Sequence, residues 1–519
     1  MTMENKPLIL TFDFGTQSVR TSIFDQNGQC LAMEQKKYEP PYFSPKPGYA
    51  EMDPRYYFDC LCECTKKLVK SHPELIANVK GIEMDCFRDS AVLLDKDRNV
   101  IRPMILWLDS RMAKCSEKLP LIHRALFRLV GMSDVIKMNA RRTMANWIKE
   151  NEPENFAKID KYLSVSTYFI YLLTGELKDS PSNYTGHYPI EYKKKRFYKN
   201  PTKHMQGQIF SVRKDQLPEL VETQGLLGKI SKEGAKETGL PEGLPIFAGG
   251  SDKSCETLGS GVIDSSMASI SLGTACSIET VTKKYISPIK LFPAYSSIQP
   301  GVFNMDVQIY RGFWMINWFL KEFGAWNIKD LVMEQHDPVE FNKKLDDIPA
   351  GSEGLILQPF WGMPLDRPLV RGAVVGFSDR TTQLHFYKAI IEGIAYELRV
   401  AKDYFEKKLK RPFKAIRVSG GGSRSDEVCQ ILADIFGVRV ETVHTNETSS
   451  LGAAIGGFLS IGTYPNAEEA VKHMVRVNKA FEPRPENQKV YDSLYKNAYV
   501  KLYPSLKKIY SYLYNATAN

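Results

Sequence analysis

The run "LILTFDFGTQSVR" sets Asp13 two residues ahead of Gly15-Thr16-Gln17, at the end of an alternating apolar segment. A glycine turn lets backbone N–H groups approach an anion closely, because no Cβ stands in the way, and the neighbouring hydroxyl adds a donor. The carboxylate beside it is a hard oxygen ligand of the kind Mg²⁺ takes, usually through water. The same strand, Gly-Thr turn and strand recur in "MASISLGTACSIETVT", at Gly273-Thr274. Either turn alone is compatible with a plain hairpin. Two at equivalent places in two halves would let opposed loops grip a polyphosphate from both sides. Between them, "IFAGGSDKSCETLG" puts Asp252 after an apolar run and a glycine pair. That is a strand's carboxyl end, where α/β enzymes keep their chemistry, although a helix cap is the other reading. The triple glycine of "SGGGSRSDE", with Gly421 and Gly422, leads into a helix that Ser425 can cap and Gly437 can end. It lacks both the Walker lysine and the dinucleotide spacing. A tight turn, or a flat backbone surface against the plane of a base, fits it equally.

These residues must be positioned by strands and helices, and the punctuation supplies them. Leu8, Leu10 and Phe12 alternate, as do Ala268, Ile270 and Leu272, and Asn27-Gly28 reads as a hairpin turn. "YYFDCLCECTKKLVKSH" reads as a helix, and "MANWIKENEPENFAKIDKYLSVSTYFIYLLTG" as helical up to a glycine cap at Gly175. "AIRVSGGGSRSDEVCQILADIFGVRVETV" reads strand, turn, helix, strand. Repetition on this scale implies two related α/β domains facing each other across a cleft, and the Gly/Pro-rich "GLPEGLPIFAGG" marks the first boundary near residue 250. The tail carries an apolar helical stripe through Tyr495, Tyr499, Leu502, Leu506, Ile509 and Leu513, which Pro504 should interrupt or kink. Packing on its own domain is the expected use of the stripe; a homodimer contact is the alternative.

At 519 residues, 43% hydrophobic and 25% charged, the chain has the composition of a soluble globular protein of several domains. No apolar run reaches the ~20 residues of a spanning helix. "MTMENKPLIL" shows no positive region followed by a long apolar one, so the expected compartment is the cytoplasm. The net charge of +9 is small for this length, and the basic cluster "EYKKKRFYKN" reads as a solvated loop, so neither nucleic acid nor membrane is an expected partner. Nine scattered cysteines, with Cys60, Cys62 and Cys64 lacking zinc spacing, read as reduced thiols.

Taken together, the motifs resemble those of the FGGY family of carbohydrate kinases over about residues 7 to 480. "DFGTQSVR" is similar to the family's first phosphate motif, "ISLGTACS" to its second, and "SGGGSRSDEVCQILADIFGVRVE" with "SSLGAAIGG" to its adenosine segment. "GAVVGFSDRTTQLHFYKAIIE" fits its second signature through Gly376, His385, Ala389 and Glu392, with Phe377 in place of an aliphatic. The resemblance implies two ribonuclease H-like domains of the actin and hexokinase type flanking a central cleft. The expected division is 1–250 for the sugar, 251–480 for ATP and 481–519 as a helical tail. It further implies Asp252 as catalytic base, Asp13 as the magnesium-associated acid, and Gly15, Thr16, Gln17, Gly273 and Thr274 at the phosphates. Gly421, Gly422 and Ser425 would then lie at the adenosine. Arg88-Asp89 fall where glycerol kinases carry Arg-Glu and xylulose kinases Met-His, and Asp109 and Arg111 of "WLDSR" look closer to the xylulose kinase pattern. These four, with Asp252, are the expected acceptor contacts. The implied reaction is ATP-dependent phosphorylation of a hydroxyl on xylulose or a related sugar or polyol. Glycerol or another polyol as acceptor, and a sugar-binding regulator that lost turnover, are the alternatives.

Overall fold

Leu8, Leu10 and Phe12 do alternate along the strand Leu8–Phe14, but all seven of its residues are buried. Helices cover both faces of its sheet, which is how parallel strands are normally housed. On one face Leu10, Phe12 and Phe14 pack with Phe58 of the helix Pro54–Ser71 and Phe169 of the helix Val165–Thr174. On the other, Ile9 packs with Leu451 and Phe458 of the helix Thr448–Ser460, from far along the chain. The computed structural model describes residues 6–115, 119–289, 292–323, 338–362, 364 and 366–517.

The first sheet runs in the order Leu226–Lys229, Pro245–Ser251, Val79–Cys86, Leu8–Phe14, Ser18–Phe24, Cys30–Lys37. Its three middle strands, Pro245–Ser251, Val79–Cys86 and Leu8–Phe14, are mutually parallel, and the outer ones are antiparallel to their neighbours. The second sheet has the order Tyr295–Ser296, Phe303–Ile309, Cys276–Thr282, Met267–Leu272, Ala415–Ser419, Val440–Val443, Val477–Phe481. Here Met267–Leu272, Ala415–Ser419 and Val440–Val443 are the parallel set. In both sheets, three consecutive antiparallel strands are followed by two parallel ones beside the first. The molecule is thus an α/β protein of two halves with matching sheets, as the repeated strand and turn imply, and the strand order is the ribonuclease H-like one that the family resemblance implies.

The halves are joined by crossed helices. Asp252–Gly259 follows the last parallel strand of the first sheet, and Thr448–Ser460 follows the last parallel strand of the second. A Cβ on Gly452 would lie 1.8 Å from the Cys255 carbonyl oxygen, so only glycine permits this approach. The helix Thr448–Ser460 thereby packs on Ile9 of the first sheet, and the helix Asp252–Gly259 places Asp252 and Lys253 on the cleft between the halves.

Two sequence expectations need correction. The segment read as helical up to Gly175 is divided: helices Met144–Asn151 and Pro153–Lys158 precede the strand Lys161–Ser164, and only then comes the helix Val165–Thr174. Pro153 starts a new helix at its first turn, and "KYLS" pairs antiparallel with Ala91–Leu94, a tertiary contact that local periodicity does not register. In the tail, Pro504 does not end the helix Val500–Thr517, and the irregularity is a π-helical segment at Tyr495–Tyr499. That extra residue rotates the stripe, so that Tyr510 is buried while Ile509 is 53% exposed. The tail packs on its own half: the Tyr491 hydroxyl donates to Glu392 at 2.7 Å and that of Tyr499 to Glu397 at 2.7 Å. Among the described residues no helix is long and apolar enough to cross a membrane.

Candidate active site

Three aspartates stand at the carboxyl ends of the three parallel strands of the first sheet. Asp13 and Asp85 are register partners on adjacent strands, Gly250 pairs with Asp85 on the other side, and Asp252 follows directly as the first residue of its helix. Of the three, Asp252 lines a cleft of about 570 Å³ shared by both halves, with Arg88, Asp89, Trp107, Asp109, Arg111, Lys253, Gly273 and Thr274, while Asp13 and Asp85 are buried behind it.

Asp252 keeps 32% of its side chain accessible and stands 3.7 Å from Arg88 Nε. Burial pushes its carboxyl up, against the opposing charges of Arg88 and Lys253. Arg88 also donates to Asp306 of the strand Phe303–Ile309 at 2.8 Å, so this guanidinium bridges the two halves. Asp89 holds a positive φ of 57°, a strained conformation of the kind found at sites that other contacts over-determine. Its oxygens accept from the His187 backbone N–H at 3.0 Å and lie 2.7 Å from His187 Nδ1. Burial alone would raise the Asp89 carboxyl, but the His187 charge and these hydrogen bonds outweigh it and hold it below the ordinary value.

Asp109 and Arg111 meet each other: the Arg111 Nε and Nη2 donate to the two oxygens of Asp109 at 2.9 and 2.7 Å. Arg111 also pairs with Glu51 at 2.6 Å and stacks over Tyr49 and Trp147. This pair braces the cleft wall, its polar atoms largely spent on one another.

At the two hairpins, Gly15 N–H closes the first turn on the Ser18 carbonyl at 3.0 Å, and the second turn is fixed from outside by Phe313 N–H donating to the Gly273 carbonyl at 3.1 Å. The Thr16 hydroxyl accepts from the Trp107 indole at 3.0 Å, leaving its own proton to donate. The Gln17 side chain is exposed, and its carbonyl holds Tyr38 N–H at 3.0 Å. Thr274 reaches the cleft between Gly273 and Ala275. In the glycine run, a Cβ on Gly422 would lie 2.5 Å from the Phe313 ring, whereas one on Gly421 would meet nothing within 4 Å. Gly422 is needed for packing, and Gly421 faces open space. Ser425 caps the helix Asp426–Phe436 by accepting from Val428 N–H at 3.3 Å.

Whether Mg²⁺ suits this chain is decided by its acids. Asp13 is 6% exposed, with Arg20 and Ser450 no nearer than 3.4 Å to its Oδ2. Asp85 is fully buried, and among the described residues its oxygens have no partner other than the neighbouring Asp13 carboxyl. Burial, then the Asp13 charge, drives the Asp85 carboxyl well above its ordinary value. Two under-satisfied carboxyls fit a hydrated divalent cation. Among the described residues no three His, Cys, Asp or Glu side chains converge on one point, so such an ion would keep several waters.

The family models match this frame half by half. The amino-terminal domain of the FGGY family of carbohydrate kinases matches residues 8–259, and the family's carboxy-terminal domain matches 268–461. The chain belongs to the FGGY family of carbohydrate kinases. A xylulose kinase of Lactococcus lactis is 27% identical over 496 residues, covering 94% of this chain and 95% of that protein. Solved structures of a ligand-bound xylulose kinase and of a gluconate kinase, both from Lactobacillus acidophilus, superpose with TM-scores of 0.82. They are 23% and 24% identical, and each alignment spans 98% of this chain and 100% of the other.

Within this FGGY kinase, several site residues escaped sequence reasoning. Trp107, His187, Tyr295 and Asp306 meet on the cleft only through the fold, from both halves, and Asp85 lies beside Asp13 on the adjacent strand. Asp85 carried one usable signal: an acid in a strand flanked by apolar residues. Lys253, next to Asp252, is tied to Glu256 at 2.6 Å and to the Ser271 hydroxyl at 2.8 Å. The family signature residue Glu392 lies away from the cleft and accepts from Gly351 N–H, the Ser352 hydroxyl and Tyr491, clamping the tail.

Proposed function

We propose that this kinase transfers the γ-phosphoryl group of ATP to a hydroxyl of xylulose or a related sugar or polyol, with Asp252 as the general base. The observation that carries this reading is the placement of Asp252, a part-exposed carboxylate at the carboxyl end of the first sheet, on a cleft that also holds the Gly273-Thr274 turn. Phosphoryl transfer has a loose transition state, so the protein's task is to align donor and acceptor and to neutralise charge. Asp252 would accept a hydrogen bond from the attacking hydroxyl, orient it, and take its proton late. Arg88 would keep that carboxylate ionised, and with Asp89 would offer donors and acceptors to further hydroxyls. Thr16 and Thr274 would donate to the phosphates, and Gly421 would leave room for the adenosine. Mg²⁺ when bound supplies positive charge to the phosphates; Asp13 and Asp85 are the residues to hold it through water. The division of labour would put the acceptor on 1–250 and ATP on 251–480, with the tail from 481 as a brace. ADP release measured over ketoses, aldoses, polyols and sugar acids tests the reading. Acceptor-dependent release is expected, and its absence across the panel, with tight sugar binding by calorimetry, would favour a regulator instead.

A further inference from the structure

The cations of the cleft form a ledger with one open position on the acceptor side. Arg88 is matched by Asp306 at 2.8 Å and Asp252 at 3.7 Å, Arg111 by Asp109 at 2.7 Å, Lys253 by Glu256 at 2.6 Å, and Arg367 by Asp366 at 3.1 Å. The acids nearest the acceptor are likewise engaged, Asp89 by His187 and both Asp252 and Asp306 by Arg88. Arg311, on the second half, lies over the Trp314 ring. Arg142 differs from all of these. It ends the helix Ser133–Arg142, is only half-exposed, and lines the cleft beside Asn139 and His187. Among the described residues its guanidinium has no ion pair and no hydrogen bond. Its charge reaches across to Tyr310 of the second half, where it is the largest influence opposing the burial that pushes that phenol up to about 12.

A neutral sugar gives such a guanidinium only hydroxyl acceptors, which match neither its fixed charge nor its planar fork. A carboxylate gives it two parallel charge-assisted bonds. A half-buried cation that keeps its desolvation cost in the free protein and loses it on meeting an anion is a specificity element. Resting on the kinase reading above, we infer that Arg142 recognises a carboxylate on the acceptor, so that the substrate class is a sugar acid of the aldonate type, phosphorylated at a hydroxyl remote from that carboxylate. The carboxylate would lie at the Arg142 and Asn139 wall, and the attacking hydroxyl at Asp252.

The test is acceptor-dependent ADP release by the full-length wild-type chain with matched pairs of equal carbon number, an aldonate against the corresponding alditol and ketose, with a sugar phosphate as a further arm. The expected result is a kcat/KM at least tenfold higher for an aldonate than for its neutral partners. Arg142→Gln should erase that ratio and Arg142→Lys retain part of it, through KM of the acceptor and not KM of MgATP. Turnover of neutral ketoses or alditols with no gain from a carboxylate would overturn the inference while leaving the kinase reading intact, and a preference for the sugar phosphate would overturn the carboxylate assignment. An Arg142→Gln effect confined to KM of MgATP would overturn the acceptor role. ADP release with no acceptor of any class would remove the kinase reading, and this inference with it. The wild-type series decides the matter even if a variant fails to fold.

Discussion

Arg88→Met removes a guanidinium that pairs with both Asp252 and Asp306, and its consequence for Asp252 can be worked out. At the observed 3.7 Å, two unit charges attract by about 4 kcal/mol at an effective dielectric constant near 20. Because 32% of the Asp252 side chain is exposed, solvent screening reduces this to about 1.5 kcal/mol, or about one pH unit. The sign is fixed: burial already raises the Asp252 carboxyl, Arg88 opposes that rise, and its loss lets the carboxyl climb further. A base works only when ionised, so activity is present above its pKa and falls as pH drops through it. The acid limb of kcat/KM for acceptor-dependent ADP release should therefore move to higher pH by about one unit in Arg88→Met. Asp306→Asn is the control, since it spares the Arg88 contact with Asp252 and should not move the limb upward. Stability provides a second readout, because Asp306 is left with a 2% exposed side chain and without its cation. Breaking such a buried pair costs about 3–5 kcal/mol. An acid limb that stays in place in folded Arg88→Met, or rises equally in Asp306→Asn, refutes the argument that Arg88 sets the ionisation of Asp252.

Gly421 and Gly422 should separate by role: Gly421→Ala keeps the wild-type melting temperature but raises KM for MgATP, whereas Gly422→Ala, forced against Phe313, lowers the melting temperature as well. Equal melting losses in both would contradict this division. Tyr491→Phe deprives the buried Glu392 of one of its three donors and should cost about 1–3 kcal/mol in denaturant unfolding with no change in KM for either substrate. A change in KM would place the tail in the site's workings and not in its support.

The strands and turns were legible because their punctuation is local. Gly15 and Gly273 sit in hairpins, Ser425 and Gly437 bound their helix, and Gly175 ends its own, each as residue type alone dictates. The duplication was legible for the same reason, since the two Gly-Thr hairpins open two sheets of matching order. What sequence could not give was set by long-range pairing. "KYLS" is a strand because Ala91–Leu94 lies beside it, and the tail's phase shifts because a π-turn inserts one residue. The site divides likewise. Asp13 and Asp252 stand next to glycines at strand ends and advertise themselves, whereas Asp306, His187 and Arg142 acquire meaning only when the halves close on one cavity. Asp109 and Arg111 show the converse: an acid and a base two residues apart read as acceptor contacts, and the fold turns them largely toward each other.

The central claim is that Asp252 takes the proton of the attacking hydroxyl, and Asp252→Asn tests it most directly. The substitution preserves size and keeps one oxygen that can accept from Lys253 N–H, as Asp252 does at 2.8 Å. Single-turnover phosphoryl transfer from bound ATP, measured beside ATP affinity in the same folded variant, should fall by about 10²–10⁴ while the affinity holds. Transfer at the wild-type rate with ATP bound as tightly would contradict the account at its base.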